Sequence, residues 1–251
     1  MFRLTKREDV YLVTDNDPKD CAEYRVFIAA YEGDMGLWNN TSGKADKTPD
    51  FFSQEYETMM EVMRVDDHAY MTKDGKLVNP AASADSKKFN ELIRKGIVDA
   101  HPDACFAIIG DSGLPTLEDH NYLRYKENFK RIVNEHISKI STYRKNHPEC
   151  RYLIFLIFDE SCGYFEAINV PEDFKEGVKH LGRPHIWFED KAFTDVFVNS
   201  DVDCVIWYTP YKYSESRNIP GGLPQVSVFF KSCGVGKIID YDESHVMPTE
   251  V

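Results

Sequence analysis

The chain has 251 residues, enough for one large α/β domain with a sizeable core, and its 42% hydrophobic and 13% aromatic content excludes wholesale disorder. A formal charge of −12 excludes a surface generally coated in nucleic acid, because such binding neutralises phosphates with basic patches, yet it is compatible with phosphates held through a divalent cation on carboxylates. The longest apolar run, Tyr152 to Phe158, falls far short of the ~20 residues that span a bilayer, and no N-terminal leader is visible, so the expectation is a cytoplasmic protein with no membrane partner.

Val10 to Thr14 reads as a short strand. A helix opening at Asp17 or Pro18 then runs through Cys21, Tyr24, Phe27, Ile28 and Tyr31 and ends at Gly33. Turns fill Asp34 to Lys47. Two neighbouring extended segments follow, Asp50 to Ser53 and Glu57 to Val65. Residues 71 to 118 read as an insertion within a single 1–251 domain: a turn-rich start, a helix over Lys87 to Ile97 and a strand at Cys105 to Ile109.

A long helix over Glu118 to Asn146 is predicted from the stripe Leu123, Phe129, Ile132, Val133, Ile137 and Ile140, with Pro148 stopping it. Arg151 to Phe158 reads as a strand covered on both faces, Asp190 to Asn199 as a helix and Asp203 to Tyr208 as a further strand. Val226 to Phe230 and Lys237 to Tyr241 suggest a peripheral hairpin around Gly234 and Gly236. The alternation predicts an α/β fold with a mixed central sheet flanked by helices.

The six cysteines are scattered without a C-x-x-C pair, which favours buried free thiols. Asp66-Asp67-His68 follows a strand, where a metal ligand or base would sit, but such a triplet is more often a solvated turn. Asp159-Glu160-Ser161 ends the apolar strand and offers either cation ligands or a cap. The aromatic run from Trp207 to Tyr213 offers base stacking or, as the preferred reading, packing on the core.

The most informative passage is Pro49-Asp50 followed by Glu61-Val62-Met63. Two carboxylates on adjacent strands can hold a divalent cation that activates water and neutralises phosphate charge. The alternative is that Pro49 starts a strand, Asp50 caps a turn and Glu61 sits on a solvated edge.

This passage resembles the PD-(D/E)XK superfamily, the restriction-endonuclease-like fold, whose signature is Pro-Asp, a spacer, then acid-any-Lys on the next strand. Pro49-Asp50 and Glu61-Val62 match it, and Met63 stands where the lysine would. The resemblance implies that Asp50 and Glu61 bind Mg²⁺ or Mn²⁺ and that Glu23, with Glu32 as its rival, supports them from the preceding helix. It also implies that a lysine from another element, Lys126 or Lys130, assists the attacking water. The expectation is a metal-dependent nuclease-like protein acting on nucleic acid, with full or reduced activity. The alternative is a non-catalytic acidic protein on the same scaffold that engages a protein partner.

Overall fold

The computed structural model describes residues 10–13, 21–43, 48–101, 104, 110–168, 182–210, 212, 224–234 and 236–249. In chain order these form β1 (Val10–Val13), α1 (Tyr24–Glu32), β2 (Asn39–Asn40), β3 (Phe51–Ser53), β4 (Thr58–Val65), β5 (Tyr70–Met71), β6 (Leu77–Val78), α2 (Pro80–Arg94), α3 (Ile97–Ala100) and α4 (Thr116–Asp119). There follow α5 (Tyr122–Ile137), α6 (Ile140–Asn146), β7 (Tyr152–Asp159), β8 (Tyr164–Ala167), β9 (Gly182–Pro184), α7 (Lys191–Val198), β10 (Cys204–Tyr208), β11 (Val226–Phe230) and β12 (Val246–Pro248).

The fold is α/β, built on a mixed seven-stranded sheet in the order β1-β11-β10-β7-β4-β3-β2. The strands β4, β7 and β10 run parallel at its centre, and β3 pairs antiparallel with β4. Because side chains alternate along a strand, each face gathers its own core. Met59, Met63, Val65, Leu153, Phe155, Ile157, Val205 and Trp207 face α5, α6 and α7, while Met60, Ile154, Cys204, Ile206, Val228 and Phe230 face Val26 and Phe27 of α1. Gly33 closes α1 where a Cβ would stand 2.0 Å from the Ala29 carbonyl oxygen, so no larger residue fits that exit. Among the described residues, no helix is long and apolar enough to cross a membrane.

The strands at 50–65, 151–159 and 203–208 and the helix at 190–199 form where the apolar pattern predicts them, within a residue or two at each end. Four expectations are corrected. The helix expected from Lys87 already begins at Pro80, because Asn79 accepts the Ala82 N–H and a proline at the first helical position needs no donor partner. The long helix predicted over Glu118 to Asn146 is three: Asn121, in an extended conformation, caps α5, and a turn at Ser138 and Lys139 separates α5 from α6.

The expected hairpin does not form. Instead β11 is buried on both faces in the main sheet between β1 and β10, and residues 237–241 contribute only a bridge from Ile239 to Asp190. Finally, Cys21 and Cys233 are joined in a disulfide with Cα atoms 5.9 Å apart, while Cys150, Cys162 and Cys204 are buried free thiols as expected. Thr14, Asp17, Pro18 and the strand expected at Cys105 to Ile109 lie outside the described residues.

Candidate functional site

The β3–β4 register pairs Phe51 with Met60, so Asp50 stands across from Glu61, on the sheet face covered by α5 and α6. The backbone N–H of Asp50 donates to Glu61 Oε2 at 3.1 Å, and the Val62 N–H donates to Asp50 Oδ2 at 2.9 Å. Glu61 is only 5% exposed, which rules out a solvated edge. Its Oε1 accepts from His136 Nδ1 at 2.6 Å on α5 and from the Tyr143 hydroxyl at 2.9 Å on α6.

Burial pushes the Asp50 carboxyl above its ordinary range. The Val62 N–H opposes this, Glu61 reinforces it, and His136 and Lys139 pull the other way. Lys139, in the turn between α5 and α6, makes the smallest of these contributions to Asp50, and its Nζ lies 3.3 Å from Glu135. The chemistry available here is two carboxylates, each bonded to a backbone N–H of the other's strand, with an imidazole and a phenol on Glu61.

The other residues singled out from the sequence go elsewhere. Met63 is buried in the core on the Glu61 face, so no charged group stands at the lysine position. Glu23 precedes α1, the helix on the opposite face of the sheet, and its carboxylate accepts from the Ser232 N–H and hydroxyl instead of joining Asp50. Glu32 ends the same helix on the surface. Lys126 pairs with Glu243, and Lys130 lines a groove between α5 and α7 with Asn134, Asp195 and Asn199. Sequence reading missed His136, Lys139 and Tyr143. The signal was there, since His136 and Tyr143 interrupt the apolar stripe at the spacing of Val133 and Ile140.

A second polar constellation lies at the carboxyl ends of the parallel strands, the edge where α/β sheets commonly carry function. Asp66 is the turn residue: its Oδ1 accepts the N–H groups of His68 and Ala69. Asp67 is fully buried rather than solvated, and its Oδ2 accepts from His120 Nδ1 at 3.0 Å, the Cys162 N–H at 3.1 Å and the Tyr164 hydroxyl at 2.7 Å. Burial alone would raise its carboxyl, but His120, His68 and Tyr164 bring it down to about 2.

Deeper in the same edge, Asp159 accepts from the Tyr125 hydroxyl, Trp207 Nε1 and Ser161, and lies 2.5 Å from the buried Lys212 ammonium. Neither acid of the Asp159-Glu160 pair is available to a cation, because Glu160 pairs with Arg64. The aromatic run likewise begins in the core: Trp207 stacks on Trp187 with ring centroids 4.4 Å apart, while Tyr211 and Tyr213 lie outside the described residues.

No protein-family model, curated protein or solved structure matches this chain.

Proposed function

We propose that this protein is a restriction-endonuclease-like phosphodiesterase that hydrolyses nucleic acid with the help of a divalent cation held by Asp50 and Glu61. The observation that carries the reading is the interlocking of the two acids where β3 begins beside β4: the Asp50 N–H donates to Glu61 Oε2, and the Val62 N–H donates to Asp50 Oδ2. The order α1, β2, β3, β4, α5, β7 supports it: an antiparallel meander followed through a helix by a strand parallel to β4. Two hard oxygen donors fit Mg²⁺ or Mn²⁺, and a cation would compensate the burial, reinforced by Glu61, that raises the Asp50 carboxyl. When bound, the cation supplies a more acidic water and a counter-charge for the phosphate.

The remaining work falls to the chain. His136 and Tyr143 fix the Glu61 carboxylate, and the Val62 N–H fixes that of Asp50. Lys139 takes the place of the motif lysine, offering its ammonium to the attacking water or the phosphate. Met63, buried at the motif position, favours the second reading of a non-catalytic protein on the same scaffold that engages a protein partner.

Cleavage of single- and double-stranded DNA and RNA with Mg²⁺ or Mn²⁺ separates the two. Activity in the native chain that disappears in Asp50→Asn and Glu61→Gln is the expected result. A native chain that binds neither cation and cuts none of these substrates overturns the proposal.

A further inference from the structure

His68 and Asp67 face each other in a way that their hydrogen bonding leaves unsatisfied. His68 Nδ1 lies 3.1 Å from the Asp119 backbone oxygen and 3.3 Å from Asp119 Oδ1, both acceptors, so that nitrogen carries the proton. In the neutral ring, Nε2 then presents its lone pair to Asp67 Oδ1 at 3.5 Å. Asp67 Oδ1 is itself buried and has no hydrogen-bond partner. Two acceptors facing one another in a dry site need positive charge between them, supplied either by a second proton on His68 or by a bound cation. A ring nitrogen of His120, the Cys162 sulfur and an Asp67 carboxylate oxygen lie within 4.8 Å of one another.

We propose that Asp67, His68, His120 and Cys162 form a zinc site. Nitrogen and sulfur donors select Zn²⁺ over Mg²⁺, and one carboxylate, one thiolate and two neutral imidazoles balance its charge. Tetrahedral zinc sets its ligand atoms roughly 3.5 Å apart, so the three atoms already within 4.8 Å draw together by about an ångström, and His68 Nε2, 3.5 Å from Asp67 Oδ1, supplies the fourth. On binding, the Cys162 thiol gives up its proton to solvent, and the thiolate takes its place on the metal.

The outer contacts are already in position. The Asp119 carbonyl orients His68, Tyr164 and the Cys162 N–H hold the second Asp67 oxygen, and His120 exchanges its Nδ1 bond to that oxygen for the metal. The ion ties the end of β4 to the turn before α5 and to the β7–β8 connection, three segments distant in sequence. It is a closed structural site, independent of the Asp50–Glu61 reading.

The test is metal loading of the full chain after chelation. The native protein should bind one equivalent of Zn²⁺ and, with Co²⁺, show the thiolate-to-cobalt absorption and intense visible bands of a tetrahedral site. Cys162→Ser should lose the thiolate band. His68→Gln, altering a ring at the rim of the site, should weaken Zn²⁺ by more than the ~10–100-fold that loss of an outer partner brings. Asp50→Asn should bind Zn²⁺ as the native chain does, whether or not the protein cleaves nucleic acid. Failure of the folded native chain to take up stoichiometric Zn²⁺ or Co²⁺ overturns the proposal. So does a thiolate band that survives Cys162→Ser, or, should that variant not fold, unchanged affinity in His68→Gln.

Discussion

His136 Nδ1 stands 2.6 Å from Glu61 Oε1, where α5 crosses β4, and holds in place the carboxylate that lies across the strand ladder from Asp50. Burial, with Glu61 alongside, makes the ionised Asp50 unfavourable for the fold, and its raised carboxyl records it. A carboxyl whose pKa rises on folding binds its proton more tightly in the native state, so it destabilises the fold at pH values above its unfolded pKa. Asp50→Asn, which keeps an oxygen to accept from Val62, should therefore raise the melting temperature at pH 7. Mg²⁺ at millimolar concentration should raise the melting temperature of the native chain and leave that of the variant unmoved, because only a ligand of the folded state stabilises it. A variant that melts lower than the native chain would show that the buried, ionised Asp50 does not burden the fold.

The lysines give a second contrast. If Lys139 stabilises charge at the reacting phosphate, Lys139→Ala should lower the cleavage rate by about 10²–10³-fold while cation binding persists. Lys126→Ala removes a pair with the half-exposed Glu243, so it should leave the rate unchanged and alter stability by no more than ~1 kcal/mol. Equal losses in the two variants would remove Lys139 from the site.

The two sites differ in how far the sequence reveals them, and the difference is physical. Asp50 and Glu61 sit on strands joined by a short antiparallel connection, so the sequence brings them near one another, but only the Phe51–Met60 register sets them opposite. Period says which face a side chain takes, never which distant segment meets it. Hence the apolar run at Val226 to Phe230 is legible as a strand, but not as the central partner of β10. Nothing local distinguishes Cys162 as the neighbour of Asp67, or Cys21 as the partner of Cys233. Glu23 and Lys126 fail for a related reason: element order suggests a helix near the site, whereas α1 packs on the opposite face and Lys126 pairs with Glu243.

Acid should destabilise the fold through His185. Burial holds its pKa below the ordinary histidine value, against the pull of Asp190 2.7 Å away. As pH falls through about 6.5, the unfolded chain takes a proton that folded His185 still refuses, so stability drops with a limiting slope of about 1.4 kcal/mol per pH unit. Asp190, itself lowered because His185 and then Tyr122 outweigh its burial, adds a further loss below about pH 4, when the unfolded carboxyl protonates first. Urea midpoints measured from pH 7.5 down to pH 3.5 should show both steps. In His185→Gln, which can still donate to Asp190 but cannot titrate, the upper step should shrink by about one proton's worth; an unchanged profile would place that titration elsewhere.

The buried Lys212–Asp159 pair sets a last expectation. Asp159 Oδ2 lies 2.5 Å from the Lys212 ammonium and also accepts from Tyr125 and Trp207, while Ser161 bridges, donating to Asp159 Oδ1 and accepting from Lys212. Every polar group in this network has a partner, so removing one charge strands the other in a dry interior. Lys212→Met should destabilise the protein by about 3–5 kcal/mol. Adding Asp159→Asn removes the stranded charge while Tyr125 and Trp207 keep an oxygen to bind, so the double variant should recover part of that loss in urea unfolding. Additive losses would mean that the two charges stabilise the fold through separate partners, and that the pair is not the unit closing the carboxyl edge of β7 and β10.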